Sequence, residues 1–159
     1  MGRAKCLGQL GNIAYDRFIE ARKAGRPVEE CSNHLAQARQ YYGQALEMSP
    51  ASAVRDVATG HNQLGLVCAN AGQIDASLHH FTESIYRCEA MQDHFLAGRV
   101  RENAARALAV AGRLVEACDW AQFALRDFEV CENAEQHVVK CLQLLEQIES
   151  ARQASPPPS

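Results

Sequence analysis

The chain is expected to be all-α: a right-handed α-solenoid of three helix–turn–helix repeats closed by a C-terminal capping helix. Three observations carry that expectation. Apolar residues recur at helical spacing through most of the 159 residues. The composition is rich in Ala, Leu, Gln and Glu and poor in aromatics, with Pro concentrated at the C-terminal end, which favours helices over strands. The chain also repeats itself. Leu64-Gly65 fall on Ala104-Ala105 at an offset of 40, and Gly72 then falls on Gly112, Ser77 on Ala117, Phe81 on Ala121 and Ser84 on Ala124.

A third copy lies upstream. Leu10-Gly11 stand where Leu64-Gly65 stand, and Ala38, Tyr42 and Ala45 are spaced like Ser77, Phe81 and Ser84. Gly11 and Ala38 are 27 residues apart, against 12 for Gly65 and Ser77. The first pair of helices is therefore longer, with its turn at Gly25-Arg26-Pro27.

These signals predict helices at 4–23, 28–48, 52–70, 74–90, 93–111, 114–130 and 134–151. Pro27 suits the first turn of the second helix. Pro50, flanked by Ser49 and Ser52, breaks the chain before the third. Asp93 is expected to cap the fifth helix and Asn133 the seventh. Gly25, Gly72 and Gly112 sit just past helix ends, where a left-handed residue closes the last turn. Gly11, Gly65 and Ala105 lie inside helices, where Gly costs about 1 kcal/mol against Ala, so a close helix–helix contact must offset it. Ala38, Ser77 and Ala117 are expected to receive these small residues, with Tyr42 and Phe81 filling the space beside them. The seventh helix carries Val138, Cys141, Leu142, Leu145 and Ile148 on one stripe, as expected of a cap that docks one face. Repeats are thus expected at about 4–50, 52–91 and 93–131 within a domain of residues 1–151, with 152–159 a disordered tail.

The pattern Leu-Gly, then Gly, then Ala-x3-aromatic-x2-Ala, then Pro resembles the tetratricopeptide repeat (TPR). It reads Leu10-Gly11 with Ala38, Tyr42, Ala45 and Pro50; Leu64-Gly65 with Ser77, Phe81 and Ser84; and Ala104-Ala105 with Ala117, Ala121 and Ala124. The likeness covers about residues 4–130. It departs from the family in its period, 40 rather than about 34, in the long first pair, and in the third copy's Ala in place of Gly and aromatic. The longer period is similar to that of kinesin light chains and bacterial multidomain signalling proteins. "HNQLG" and "RENAARALAVAGR" also resemble the C-terminal repeat regions of bacterial NTPase or caspase-like (CHAT) proteins, which implies a piece of a larger sensor.

The resemblance implies a protein–protein interaction scaffold or adaptor that holds a peptide on the concave face lined by the first helix of each pair. The positions carried over are Lys5, Asn12, Tyr15 and Asp16; Thr59, Asn62, Gln63, Leu66 and Asn70; and Arg99, Glu102, Asn103 and Arg106. Asn amides can bond an extended peptide backbone, and Arg99 and Arg106 can hold a carboxylate. The bland alternative is a solvated helix face. The family's carboxylate clamp needs a basic residue beside Asn in successive repeats, and only Lys5, Arg99 and Arg106 are available for it.

Composition bounds the alternatives. A net charge of −3 supplies no basic field for nucleic acid or an anionic membrane. The opening "MGRAKCLGQLG" has no apolar stretch of the kind a secretory signal needs. The seven cysteines, Cys6, Cys31, Cys68, Cys88, Cys118, Cys131 and Cys141, are dispersed, lack any C-x-x-C spacing and are odd in number. Free thiols in a cytoplasmic setting are expected, most of them packing in the core. His137 and Cys141, with Cys131 nearby, are too few for a structural zinc site, and adjacent His79 and His80 diverge by about 100° on a helix. There is no G-x-S-x-G, phosphate-cradling Gly loop or H-E-x-x-H, so no catalysis, metal or cofactor is expected. Chance Cys/His pairs such as Cys68 with His61 or His34 leave a thiol or metal-dependent enzyme as the remote reading. Trp120, Phe123 and Phe128 are expected in the core rather than on a docking surface. A structural or self-associating segment, with a homodimer formed through the face of Leu7, Leu10, Ile13 and Ala14, is the nearer alternative.

Overall fold

The computed structural model describes residues 2–154. They form seven helices and no strand: α1 (Arg3–Lys23), α2 (Val28–Met48), α3 (Val54–Asn70), α4 (Ile74–Ala90), α5 (His94–Val110), α6 (Leu114–Glu129) and α7 (Glu135–Ala154). The chain divides into two compact units between Arg87 and Cys88, within the C-terminal part of α4. In the first unit α1 packs on α2 and α2 on α3, while Phe81 and Ser84 of α4 contact α3. In the second, α5 packs on α6 and α6 on α7.

The turns explain the helix lengths. Gly25, Gly72 and Gly112 take φ of +62°, +76° and +77°. Around Gly72, Gln73 N–H donates to Cys68 O at 2.9 Å and Gly72 N–H to Ala69 O at 3.0 Å, the paired bonds that satisfy the last free carbonyls of a helix. The same pair recurs at Gly25 and at Gly112. It recurs a fourth time at Gln92, with φ +54°, where no glycine is present. Asp93 then caps α5, its Oδ1 accepting Leu96 N–H at 3.0 Å. Asn133 does not cap α7. It takes φ +58° and α7 starts at Glu135, so it serves as a left-handed turn residue, a conformation Asn tolerates.

The mid-helix glycines meet aromatic rings directly. A Cβ at Gly11 would stand 2.5 Å from the Tyr42 ring, and one at Gly65 would stand 2.5 Å from the Phe81 ring. The expected partners Ala38 and Ser77 are fully buried, but the ring, not the small residue, is what occupies the missing side chain's place. In the third pair the device has moved by two helical turns. Ala105 and Ala121 are both buried without a ring, and Gly98 takes the ring instead, a Cβ there standing 2.9 Å from Phe128. Phe128 is thus core as expected, while Phe123 is half-exposed and Trp120 partly buried.

Ala14, Phe18, Leu35, Ala38, Tyr42, Leu64 and Val67 form the core of the first unit. In the second unit Ala124, Phe128, Ala134 and Cys141 form a core cluster. On α7 the buried stripe is Cys141, Leu144 and Ile148, with Leu142 exposed, so the docked face is turned from the expected one toward Leu144. The helix also continues past its expected end at Ala151, through Arg152, Gln153 and Ala154; the rest of the expected tail, 155–159, lies outside the described residues. Cys68, Cys88 and Cys141 are buried and Cys6 is exposed, all seven thiols being free. No described helix is long and apolar enough to cross a membrane.

Urea unfolding followed by circular dichroism tests these contacts. Gly65→Ala forces a methyl into the Phe81 ring and is expected to destabilise by about 1–3 kcal/mol, whereas Gly43→Ala in α2, where a Cβ meets nothing within 4 Å, is expected to stabilise by about 0.5–1 kcal/mol through helix propensity. Gln92→Gly relieves a left-handed non-glycine residue and is expected to raise stability by about 0.5–1 kcal/mol.

Candidate functional site

The first unit has a groove of about 330 Å³ between α1 and α3. Helical spacing explains who meets there: Lys5, Gly8, Gln9 and Asn12 project from one face of α1, and Asp56, Thr59, Gly60 and Gln63 from one face of α3. Gly8 and Gly60 keep the walls low, and Tyr42 of α2 supplies the floor. The Tyr42 hydroxyl donates to Asn12 Oδ1 at 2.8 Å, and Gln63 Nε2 donates to the same oxygen at 3.3 Å. Asn12 is therefore fixed through its carbonyl, leaving its N–H₂ group and the Gln63 carbonyl as a donor and an acceptor from facing helices. Burial, with the charges of Tyr15 and Asp16 adding to it, holds the Tyr42 phenol well above its usual range, so it stays a neutral donor. Lys5 and Asp56 place opposite charges on the lining.

The other positions taken from the sequence have different surroundings. Tyr15 and Asn70 bond each other, Asn70 Nδ2 donating to the Tyr15 hydroxyl at 2.9 Å and to Leu66 O at 2.9 Å, and Asn70 Oδ1 accepts from Arg22 at 2.6 Å. Asp16 is exposed on α1. Asn62 and Glu102, which occupy equivalent places at the offset of 40, are both buried rather than open to a groove. Glu102 accepts from Arg106 at 2.7 Å and has His137 of α7 3.9 Å away, so α7 covers this part of α5. Arg106 is thereby paired within its own helix, Asn103 is partly buried, and Arg99 is exposed.

Two groupings were not legible in the sequence. Arg101 of α5 bridges Asp127 of α6 and Glu89 of α4, with His94 Nδ1 3.5 Å from the same Asp127 carboxylate. In the first unit His80 meets His61 rather than turning away alone, the two Nδ1 atoms 3.1 Å apart, one donating and the other accepting. Burial, followed by the charges of Arg87 and His80, lowers the His61 pKa to about 4, and burial likewise lowers that of His80. Burial also pushes the Cys68 thiol up. His137 stacks on Phe128 with ring centres 4.8 Å apart, and burial pushes the nearby Cys141 thiol up to about 11, so both serve packing. Among the described residues, no group of three or more His, Cys, Asp or Glu is placed to hold a metal ion.

No protein-family model and no curated protein matches the chain.

The histidine pair makes stability depend on pH. An unfolded His binds its proton near about pH 6.5 but folded His61 only near pH 4, so the unfolded chain takes up protons first and stability falls as pH drops through that window. Thermal melts between pH 7 and 4 should show a loss of about 1–2 kcal/mol from this source after allowance for partial exposure, and His61→Gln/His80→Gln should flatten the slope.

Proposed function

We propose that the chain is a protein-interaction module, its helix pairs of the tetratricopeptide class, which receives an extended peptide segment in the groove between α1 and α3 and catalyses no reaction. The observation that supports this best is the convergence of Asn12 and Gln63 across the groove. A peptide unit offers one N–H and one C=O, and a facing amide donor and acceptor match that pair wherever the segment's side chains allow. Lys5 and Asp56 add charge selection at the lining, and Thr59, on the same face of α3, already donates its hydroxyl to Arg55 O at 3.0 Å and so acts by shape. No cofactor enters this reading. The free thiols fit a reducing, cytoplasmic setting, and the net charge of −3 fits neither nucleic acid nor an anionic membrane as partner.

A second reading, self-association as a homodimer or as part of a sensor array, draws on Leu10 and Ile13, which are 43% and 49% exposed on α1. Light scattering across a concentration series separates the two, because a dimer through that face grows with concentration while a monomeric adaptor does not.

The test is selection from a displayed library of random peptides on the immobilised protein, followed by titration of the enriched sequences. Asn12→Ala and Gln63→Ala should each weaken binding by about tenfold, equivalent to about 1.4 kcal/mol, and Lys5→Glu should alter the charge preference of the selected peptides. Enriched peptides indifferent to all three substitutions, with circular dichroism unchanged, would place the binding elsewhere.

A further inference from the structure

The first unit holds a second depression, larger than the groove and formed by different faces. It is about 550 Å³ and lies among the C-terminal ends of α1 and α3 and the N-terminal half of α2. Phe18, Leu35, Val67 and Cys68, all buried, make its floor. Burial keeps the Cys68 thiol protonated, so the floor carries no negative charge. Three cations line the depression, Arg22, Arg26 and Arg39, and among the described residues no carboxylate does.

How those arginines are held matters more than their number. Arg22 donates to Asn70 Oδ1 at 2.6 Å and its guanidinium lies over the Phe18 ring, 5.0 Å from the centre. Asn70 is itself fixed by Tyr15 and Leu66 O. Arg39 donates to Gln73 Oε1 at 3.4 Å. Both partners are amides, which orient a guanidinium without neutralising it. Arg26 differs, because Glu30 binds it at 3.2 Å. Two oriented cations, each held by an amide, thus stand on the wall of an apolar hollow. A guanidinium with N–H donors to spare takes a carboxylate with charge-assisted bonds, and more strongly beside hydrocarbon than in open water.

We propose that this depression binds a small amphiphilic carboxylate, its apolar body on Phe18, Leu35, Val67 and Cys68 and its carboxylate received by Arg22 and Arg39. The volume falls within the range of about 300–1,000 Å³ common to small-molecule sites. A bare inorganic anion would leave the apolar floor unused, and an apolar neutral molecule would leave both cations unanswered. The site is separate from the α1–α3 groove and does not depend on the peptide reading.

The experiment titrates the full chain with 4-phenylbutyrate, 4-phenylbutanol and 4-phenylbutylamine, three molecules that share a body and differ in charge. Calorimetry gives the affinity and methyl NMR the location. The carboxylate is expected to saturate one site and shift the Leu35 and Val67 methyls, with the alcohol and amine at least about tenfold weaker and the affinity falling as salt rises. Arg22→Gln/Arg39→Gln should weaken phenylbutyrate by about tenfold or more, and Arg26→Gln by less. Ala36→Trp, on the exposed lining, leaves the arginines in place and should block binding by bulk, which covers the case in which the arginine variant unfolds. The proposal is overturned if the alcohol binds as well as the carboxylate, if the shifts appear elsewhere, if no saturation occurs at millimolar ligand, or if an acidic, aromatic peptide displaces phenylbutyrate with higher affinity and so claims the site for a protein partner.

Discussion

In each helix pair, an aromatic ring has to lie where a neighbouring helix has no side chain. The requirement fixes both partners, because a glycine without the ring leaves a void and a ring without the glycine cannot close on the backbone. Phe81 is fully buried against Gly65. Burying such a ring stabilises by about 1.5–3 kcal/mol, which outweighs the roughly 1 kcal/mol of helix propensity lost at glycine. The third pair keeps the arrangement at Gly98 and Phe128 rather than at the original level. Moving it by two turns keeps the ring on the same face of its helix, and there Phe128 also stacks on His137 of α7. One ring then joins three helices, which explains how Ala105 and Ala121 can both be small without leaving the second unit unpinned.

The same constraint builds the groove. Tyr42 is held against Gly11 by its ring, so its hydroxyl emerges at a set point, under Asn12. An aromatic with a polar tip can belong to the core and to a binding surface at once. Had the first pair used Phe there, as the second does, Asn12 would lose the shorter of the two bonds that turn its N–H₂ group outward. Gly8 and Gly60 leave the groove open on either side of this floor.

Most of the helical layout is legible in the sequence because its signals are local. Helix periodicity, the left-handed glycines at the turns and the Asp93 cap each act within a few residues, and the seven helices lie within about two or three residues of the expected bounds. Asn133 misleads because Asn suits both an N-cap and a left-handed turn, and only the position of Ala134 and Glu135 decides between them. Leu142 and Leu144 are both apolar, so the rotation of α7 depends on where α6 lies. The candidate site is legible in part for the same reason. Lys5, Asn12, Thr59 and Gln63 share faces that periodicity can identify, whereas the burial of Asn62 and Glu102, the His61–His80 contact and the Arg101–Asp127 pair depend on what a neighbouring helix brings to that spot. Gly98 escapes notice because the offset of 40 places it opposite Ala58, where no ring is expected.

The distribution of the thiols has a practical consequence. Burial keeps Cys68, Cys131 and Cys141 protonated at neutral pH, and Cys88 is wholly enclosed. Cys31 and Cys118 are partly buried, and Cys6, beside Lys5 in α1, is the exposed thiol of the seven. A maleimide dye at limiting dose therefore has a preferred attachment point within a residue of the groove lining, and the native sequence already carries a place for a fluorescent reporter without an engineered cysteine.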